Sequence, residues 1–161
     1  MVRFVRSSRF ALLALLGLAL GLTAMAAAPP FPIDWQGIKT PMPQGTCWHG
    51  QEVVNGKIYV FGGLTGTETQ SSYTLNNTQI YDPATDAWTA GAPMPTARYL
   101  CTAVAVNGKI YVMGGRTIDS DGGGGPVSTY EVYDPATNTW AAKSPTPSPI
   151  RGHMAAAFNN K

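Results

Sequence analysis

The chain has 161 residues, of which 44% are apolar and only 12% charged, so it is long enough for a folded domain and not of disordered composition. Eighteen glycines and thirteen prolines scattered among short apolar runs exclude a collagen-like pattern and point to many tight turns between short strands. The formal charge of +2 resides in the first residues: without Met1 to Ala26 three of the eleven basic residues are lost and none of the nine acidic ones, leaving −1. No basic run remains, and nucleic acid is therefore not expected as a partner.

In chain order, residues 1–26 have the three parts of a secretory signal peptide. Arg3, Arg6 and Arg9 form the basic start, Ala11 to Leu22 the apolar run, and Ala24-Met25-Ala26 the small-x-small cleavage site. The run is shorter than the about 20 residues a membrane span requires. The expectation is a secreted or periplasmic protein with no membrane attachment after cleavage. Export permits disulfides, but the two cysteines, Cys47 and Cys101, are read first as small buried thiols, with a bridge as the alternative.

The rest of the chain, 27–161, is organised by a repeat of 52 residues. Asn55-Gly56-Lys57-Ile58-Tyr59-Val60-Phe61-Gly62-Gly63 returns as Asn107-Gly108-Lys109-Ile110-Tyr111-Val112-Met113-Gly114-Gly115. Tyr81-Asp82-Pro83-Ala84-Thr85-Asp86-Ala87-Trp88 returns as Tyr133-Asp134-Pro135-Ala136-Thr137-Asn138-Thr139-Trp140 at the same offset. The repeats run over about 47–98 and 99–150, and a third begins at 151.

Each repeat reads as four strands, a to d. Strand a, Leu100 to Val106, is small and apolar throughout, as suits a strand buried on both faces. The Asn-Gly pair after it predicts a type I′ hairpin turn with positive φ at both residues. Strand b is Lys109 to Met113, strand c runs to Tyr133, and Asp134-Pro135 opens a turn whose aspartate can bond the backbone beyond it. Strand d carries Trp140.

This pattern resembles the kelch repeat: an arginine before the first strand, Gly-Gly after the second, then Tyr-Asp and a tryptophan. The resemblance implies an all-β, kelch-type β-propeller, here with two complete four-stranded blades plus partial strands at both ends. It assigns Tyr59, Tyr111, Trp88 and Trp140 to blade packing rather than to function. A strand around Trp35 opens the chain, and the third repeat stops at Phe158-Asn159-Asn160-Lys161, where Ile-Tyr-Val would follow. Two blades do not close a ring, so the chain is expected to be a fragment, with self-association through exposed blade edges as another outcome.

Alternating strand direction puts the short a–b and c–d turns on one face and the long segments Leu64 to Thr78 and Arg116 to Ser128, with the d–a connections, on the other. Ligand contacts are expected on the long-loop face. Arg98 and Arg151, read as ending successive d–a connections, and Arg116, opening the second long loop, are the candidate ligand-binding residues. In kelch adaptors arginines at this motif position contact acidic partners, and the resemblance implies the same here, the alternative being bonds to neighbouring blade carbonyls.

His49 and His153 begin inner strands and are read as structural, since the copy between them is Cys101. Asp119-Ser120-Asp121 lacks the remaining oxygens of a calcium loop. Asn76-Asn77-Thr78 is a glycosylation sequon relevant only in a eukaryotic secretory pathway. With no acid-base pair, nucleophile elbow, phosphate loop or metal cluster in the sequence, neither catalytic residues nor a cofactor is expected. The expected function is a binding module for a protein or surface glycan. The alternative is part of a carbohydrate enzyme of the sialic-acid epimerase or galactose oxidase kind, whose catalytic residues the sequence does not match.

Overall fold

A computed structural model describes residues 39–65, 73–118 and 123–159. The signal segment 1–26, the strand read around Trp35 and the Asp119 to Asp121 stretch lie outside the described residues. Within them are eight strands in two antiparallel four-stranded sheets, each in simple chain order. The first blade contains β1 (Gly50–Val54), β2 (Lys57–Thr65), β3 (Tyr73–Asp82) and β4 (Ala87–Gly91). The second contains β5 (Thr102–Val106), β6 (Lys109–Met113), β7 (Tyr130–Asp134) and β8 (Thr139–Ala142).

The turn chemistry acts as its residues require. Asn55 and Gly56 have φ of 52° and 75°, and Asn107 and Gly108 have 51° and 74°, the doubly left-handed pair of a type I′ turn. In the other short turn Asp82 Oδ1 accepts from Ala84 N at 2.9 Å, and Asp134 Oδ1 from Ala136 N at 3.0 Å. The same aspartates bind the lysine that opens strand b, Lys57 to Asp82 at 3.1 Å and Lys109 to Asp134 at 2.8 Å. One aspartate therefore closes a turn and ties it to the neighbouring hairpin.

The period of the sequence is also a period of hydrogen bonds across the connections. Gly63 N donates to Arg98 O at 2.9 Å and Gly115 N to Ile150 O at 2.8 Å; Trp88 Nε1 donates to Thr40 O and Trp140 Nε1 to Ala92 O. The Gly-Gly pair is required there. Gly62 and Gly114 have φ near 60°, and a Cβ on either would lie 2.5 Å from the carbonyl oxygen of Arg98 or Ile150.

The core lies between the blades. Val54, Tyr59 and Phe61 of the first face Cys101, Ile110, Val112 and Tyr133 of the second, with Met94 of the connection between them. Trp140 meets Phe61 edge to face at 5.4 Å, and Tyr133 packs on Tyr59 and Phe61 with centroids 5.9 Å apart. Full burial of such side chains contributes about 1.5–3 kcal/mol each. Of the repeated aromatics Tyr59 and Trp140 pack across the blade interface, whereas Trp88 packs on Tyr81 and Tyr111 on Tyr130 within their own sheets.

The third repeat follows the register without forming a ladder. Gly152 N donates to Leu100 O at 2.9 Å as Leu100 N does to Trp48 O at 2.7 Å, so the segment lies beside β5 where a next inner strand belongs. Residues 151–159 form no strand, and Met154 and Phe158 are 91% and 78% exposed.

Candidate functional site

The segment before each inner strand meets the start of the following b–c segment through isolated bridges, Cys47 with Leu64 ahead of β1 and Tyr99 with Arg116 ahead of β5, and Val127 bridges Ile150. The described ends of the long loops are thus held by backbone pairing. Residues 66–72 and 119–122, the middles of the two long loops, are outside the described residues.

Arg98 does not reach this surface. Its side chain is fully buried, with Nη1 2.5 Å from Glu131 Oε2 and 3.0 Å from Thr96 O, and Nη2 3.2 Å from Val112 O. Thr96 Oγ1 donates to the other Glu131 oxygen at 2.9 Å. The ligand role expected for Arg98 is corrected accordingly: in this structure it pins the connection to β7, bonding backbone carbonyls and a buried carboxylate. The first repeat holds Thr46 and Gln79 at the corresponding places, and Gln79 exchanges two 2.9 Å bonds with the backbone of Gln44. A signal for the pair was available: Glu131 is an acid within an apolar strand, and the repeat has Arg with Glu where its other copy has Thr with Gln.

Arg151 is exposed, but it is not the counterpart of Arg98. The bonds from Gly63 and Gly115 make Ile150 the equivalent of Arg98, so Arg151 corresponds to Tyr99 and Cys47. Counting 52 from each residue finds this shift. Arg116 is half-buried; its backbone is bridged to Tyr99 and Pro126, and its Nε is buried without a partner.

The inner corner that carries Arg151 also has a residue that sequence reasoning missed. Trp48, Leu100 and Gly152 take the same left-handed conformation, φ 53°, 54° and 59°. Glycine adopts it freely, whereas Trp and Leu are held there at a cost of order 1–3 kcal/mol. Trp48 is 58% exposed, with its ring 5.9 Å from that of Tyr99. One backbone shape thus presents Cys47-Trp48, Tyr99-Leu100 and Arg151-Gly152 in succession. The chain varies here while repeating its tyrosines, glycines and tryptophans elsewhere.

The cysteines are both free; Cys101 is buried, and burial raises its thiol pKa, but Cys47 is exposed, which corrects the expectation of two buried thiols. Cys47 occupies the outward-facing corner position instead of a core one. His49, Cys101 and His153 line one cleft at the inner corner. Both ring nitrogens of His153 are buried without partners, and desolvation lowers its pKa. Among the described residues no three His, Cys, Asp or Glu side chains come together as metal ligands. Asn76 of the sequon bonds Met94 O at 3.2 Å, and Thr78 is 1% exposed.

Two antiparallel four-stranded sheets in chain order, joined by an aromatic interface, define a β-propeller repeat protein. A solved structure described as that of YjhT superposes with a TM-score of 0.62 at 26% identity, covering 74% of this chain and 34% of that one. The family model of the KLHDC2/KLHL20/DRC7 Kelch-repeats domain matches residues 33–161, and the chain belongs to the kelch-repeat family. Similar proteins include kelch repeat and BTB domain-containing protein 12 of Danio rerio, 32% identical over 68% of this chain and 19% of its own length. An F-box/kelch-repeat protein of Arabidopsis thaliana is 36% identical over 68% of this chain and 28% of its own. The chain spans less than a third of the length of these relatives.

Proposed function

We propose that this chain is part of an exported kelch propeller that binds a protein partner through the face carrying its b–c and d–a loops. The observation that carries the reading is the repeated inner corner, where a strained, exposed Trp48 stands on the same backbone shape that presents Arg151. Tryptophan and arginine are the residue types on which binding energy concentrates. Arg151 and Arg116 supply guanidinium donors to an acidic partner, each charge-assisted bond contributing about 1.5–3 kcal/mol. The basic and apolar segments of residues 1–26 support export.

The test is affinity purification of the full chain from the compartment it reaches, followed by measurement with the purified partner. Trp48→Ala and Arg151→Ala should each weaken binding by about ten-fold or more, while Lys57→Ala on the opposite face should not. A glycan array run in parallel addresses surface glycan as the other ligand class. Binding indifferent to Trp48, Arg116 and Arg151 would remove the loop face from consideration.

A further inference from the structure

Residues 150–159 open the third repeat and lie beside β5, the edge strand of the second blade. They are lightly held. Gly115 N donates to Ile150 O, Gly152 N to Leu100 O at 2.9 Å and Thr102 Oγ1 to His153 O, and beyond these bonds Met154 and Phe158 stand exposed. A segment with no ladder and little buried apolar surface belongs to the low-stability end of a fold. What it inserts is the His153 ring, whose Cε1 lies so close to Gly114 that a Cβ there would be 2.9 Å away.

The place this ring fills suits an uncharged side chain. Counting back 52 residues puts Cys101 there, a buried thiol with Sγ 4.0 Å from Phe61 O of β2. His153 points the same way at the end of β6, and both its ring nitrogens are buried without partners, whereas His49 of the first repeat keeps Gln51 Oε1 3.3 Å from its Nε2. An imidazolium has two N–H donors to satisfy and a charge to solvate, so it is far costlier in this place than the neutral ring. Among the described residues, the groups that face it give no compensation. His49 and Cys101 share the cleft, Thr102 is neutral, and behind Gly115 the Arg98 guanidinium is already paired with Glu131. Arg151, on its own segment, is a like charge. Desolvation accordingly lowers the His153 pKa.

We propose that His153 is a proton-operated latch: neutral, it seats residues 151–159 against the inner edge of the second blade, and protonated it leaves the cleft and releases them. The sign follows from burial. A seated ring binds its proton more weakly than a free one, so attachment is undisturbed above the ordinary imidazole value of about 6.5 and is lost as pH falls from there through the lowered value. Within that window the ratio of seated to released segment falls by up to about ten-fold per pH unit. The blades do not take part, because Asp82, Asp86 and Asp134 are held below the usual carboxylate range and keep their charge over these pH values. Arg151 moves with the segment, so its guanidinium is fixed at the inner corner only while the latch is closed.

The experiment is amide hydrogen exchange of the full chain between about pH 7.5 and about pH 5.5, corrected for intrinsic rates, with Gly152 read against Val112 of the interior strand β6. Protection of Gly152 should fall at least about three-fold towards the acid end while that of Val112 holds, and the His153 ring should titrate below the ordinary imidazole value in the same samples. His153→Cys installs the residue that the second repeat uses at this place, so it should keep Gly152 protected at the upper pH and abolish the fall. His49→Gln should leave the fall as it is. Protection of Gly152 that is constant with pH, a fall that persists in His153→Cys, an equal fall at Val112, or a His153 ring titrating at or above its ordinary value would each overturn the latch.

Discussion

Replacing Arg98 by threonine should destabilise the chain far more than any surface substitution, and replacing Glu131 by glutamine at the same time should restore much of the loss. Both side chains are at most 4% exposed. Removing the guanidinium leaves the Glu131 carboxylate buried with only Thr96 Oγ1 as a donor, and it frees the carbonyls of Thr96 and Val112 from their bonds. Breaking one side of a buried ion pair costs about 3–5 kcal/mol, a large part of a typical folding stability of about 5–15 kcal/mol. At a urea slope near 2 kcal/mol/M the midpoint should fall by roughly 2 M. The double replacement installs the combination that the first repeat already uses, where Gln79 pairs with the backbone of Gln44. Thr96 occupies the position of Gln44, so a glutamine at 131 has the same backbone groups within reach. The double variant should therefore be more stable than the sum of the single changes by at least about 2 kcal/mol. Urea denaturation of the four proteins, followed by tryptophan fluorescence, measures this coupling. Additivity within about 0.5 kcal/mol, or an Arg98→Thr cost under about 1 kcal/mol, would refute the account of the pair.

Gly62→Ala places a Cβ 2.5 Å from Arg98 O at a φ of 59°, and thermal denaturation should show a loss of about 2 kcal/mol or more; Gly56→Ala, with open space around it, should cost less. Asp82, Asp86 and Asp134 are held below the usual carboxylate pKa, chiefly by side-chain hydrogen bonds from Lys57, Tyr81 and Lys109 respectively. Their contribution is present above pH about 4 and lost as pH falls through the lowered values. Stability measured across acid pH should decline there, and Asp82→Asn with Asp134→Asn should flatten the decline. A thiol reagent should label Cys47 rapidly in the folded protein and Cys101 only on unfolding, so equal labelling rates would contradict the burial of Cys101. Trp140→Phe removes the bond to Ala92 O and part of the contact with Phe61; a loss of about 1–3 kcal/mol is expected in denaturation, with the sheets intact by circular dichroism.

By itself the sequence determined everything that depends on spacing along the chain. Asn-Gly sets a type I′ turn through the φ its two residues tolerate, Asp-Pro closes its turn through a side chain two residues away, and a 52-residue offset carries the strand register from one blade to the next. These are local interactions or their repetition, and strand b was legible to the residue at Lys109–Met113. The tertiary structure alone decided what lies between blades. Whether Arg98 faces solvent or a buried Glu131 depends on a residue 33 positions away in another strand. Whether Cys47 is covered depends on the turn of the inner corner. Burial is a property of surfaces brought together by packing, and two copies of one repeat with the same strands bury their variable residues differently. The inner corner with Trp48 and Arg151 is composed of those variable residues: the architecture was readable from the repeat, whereas the contacts that distinguish this chain appeared only when one blade was set against the next.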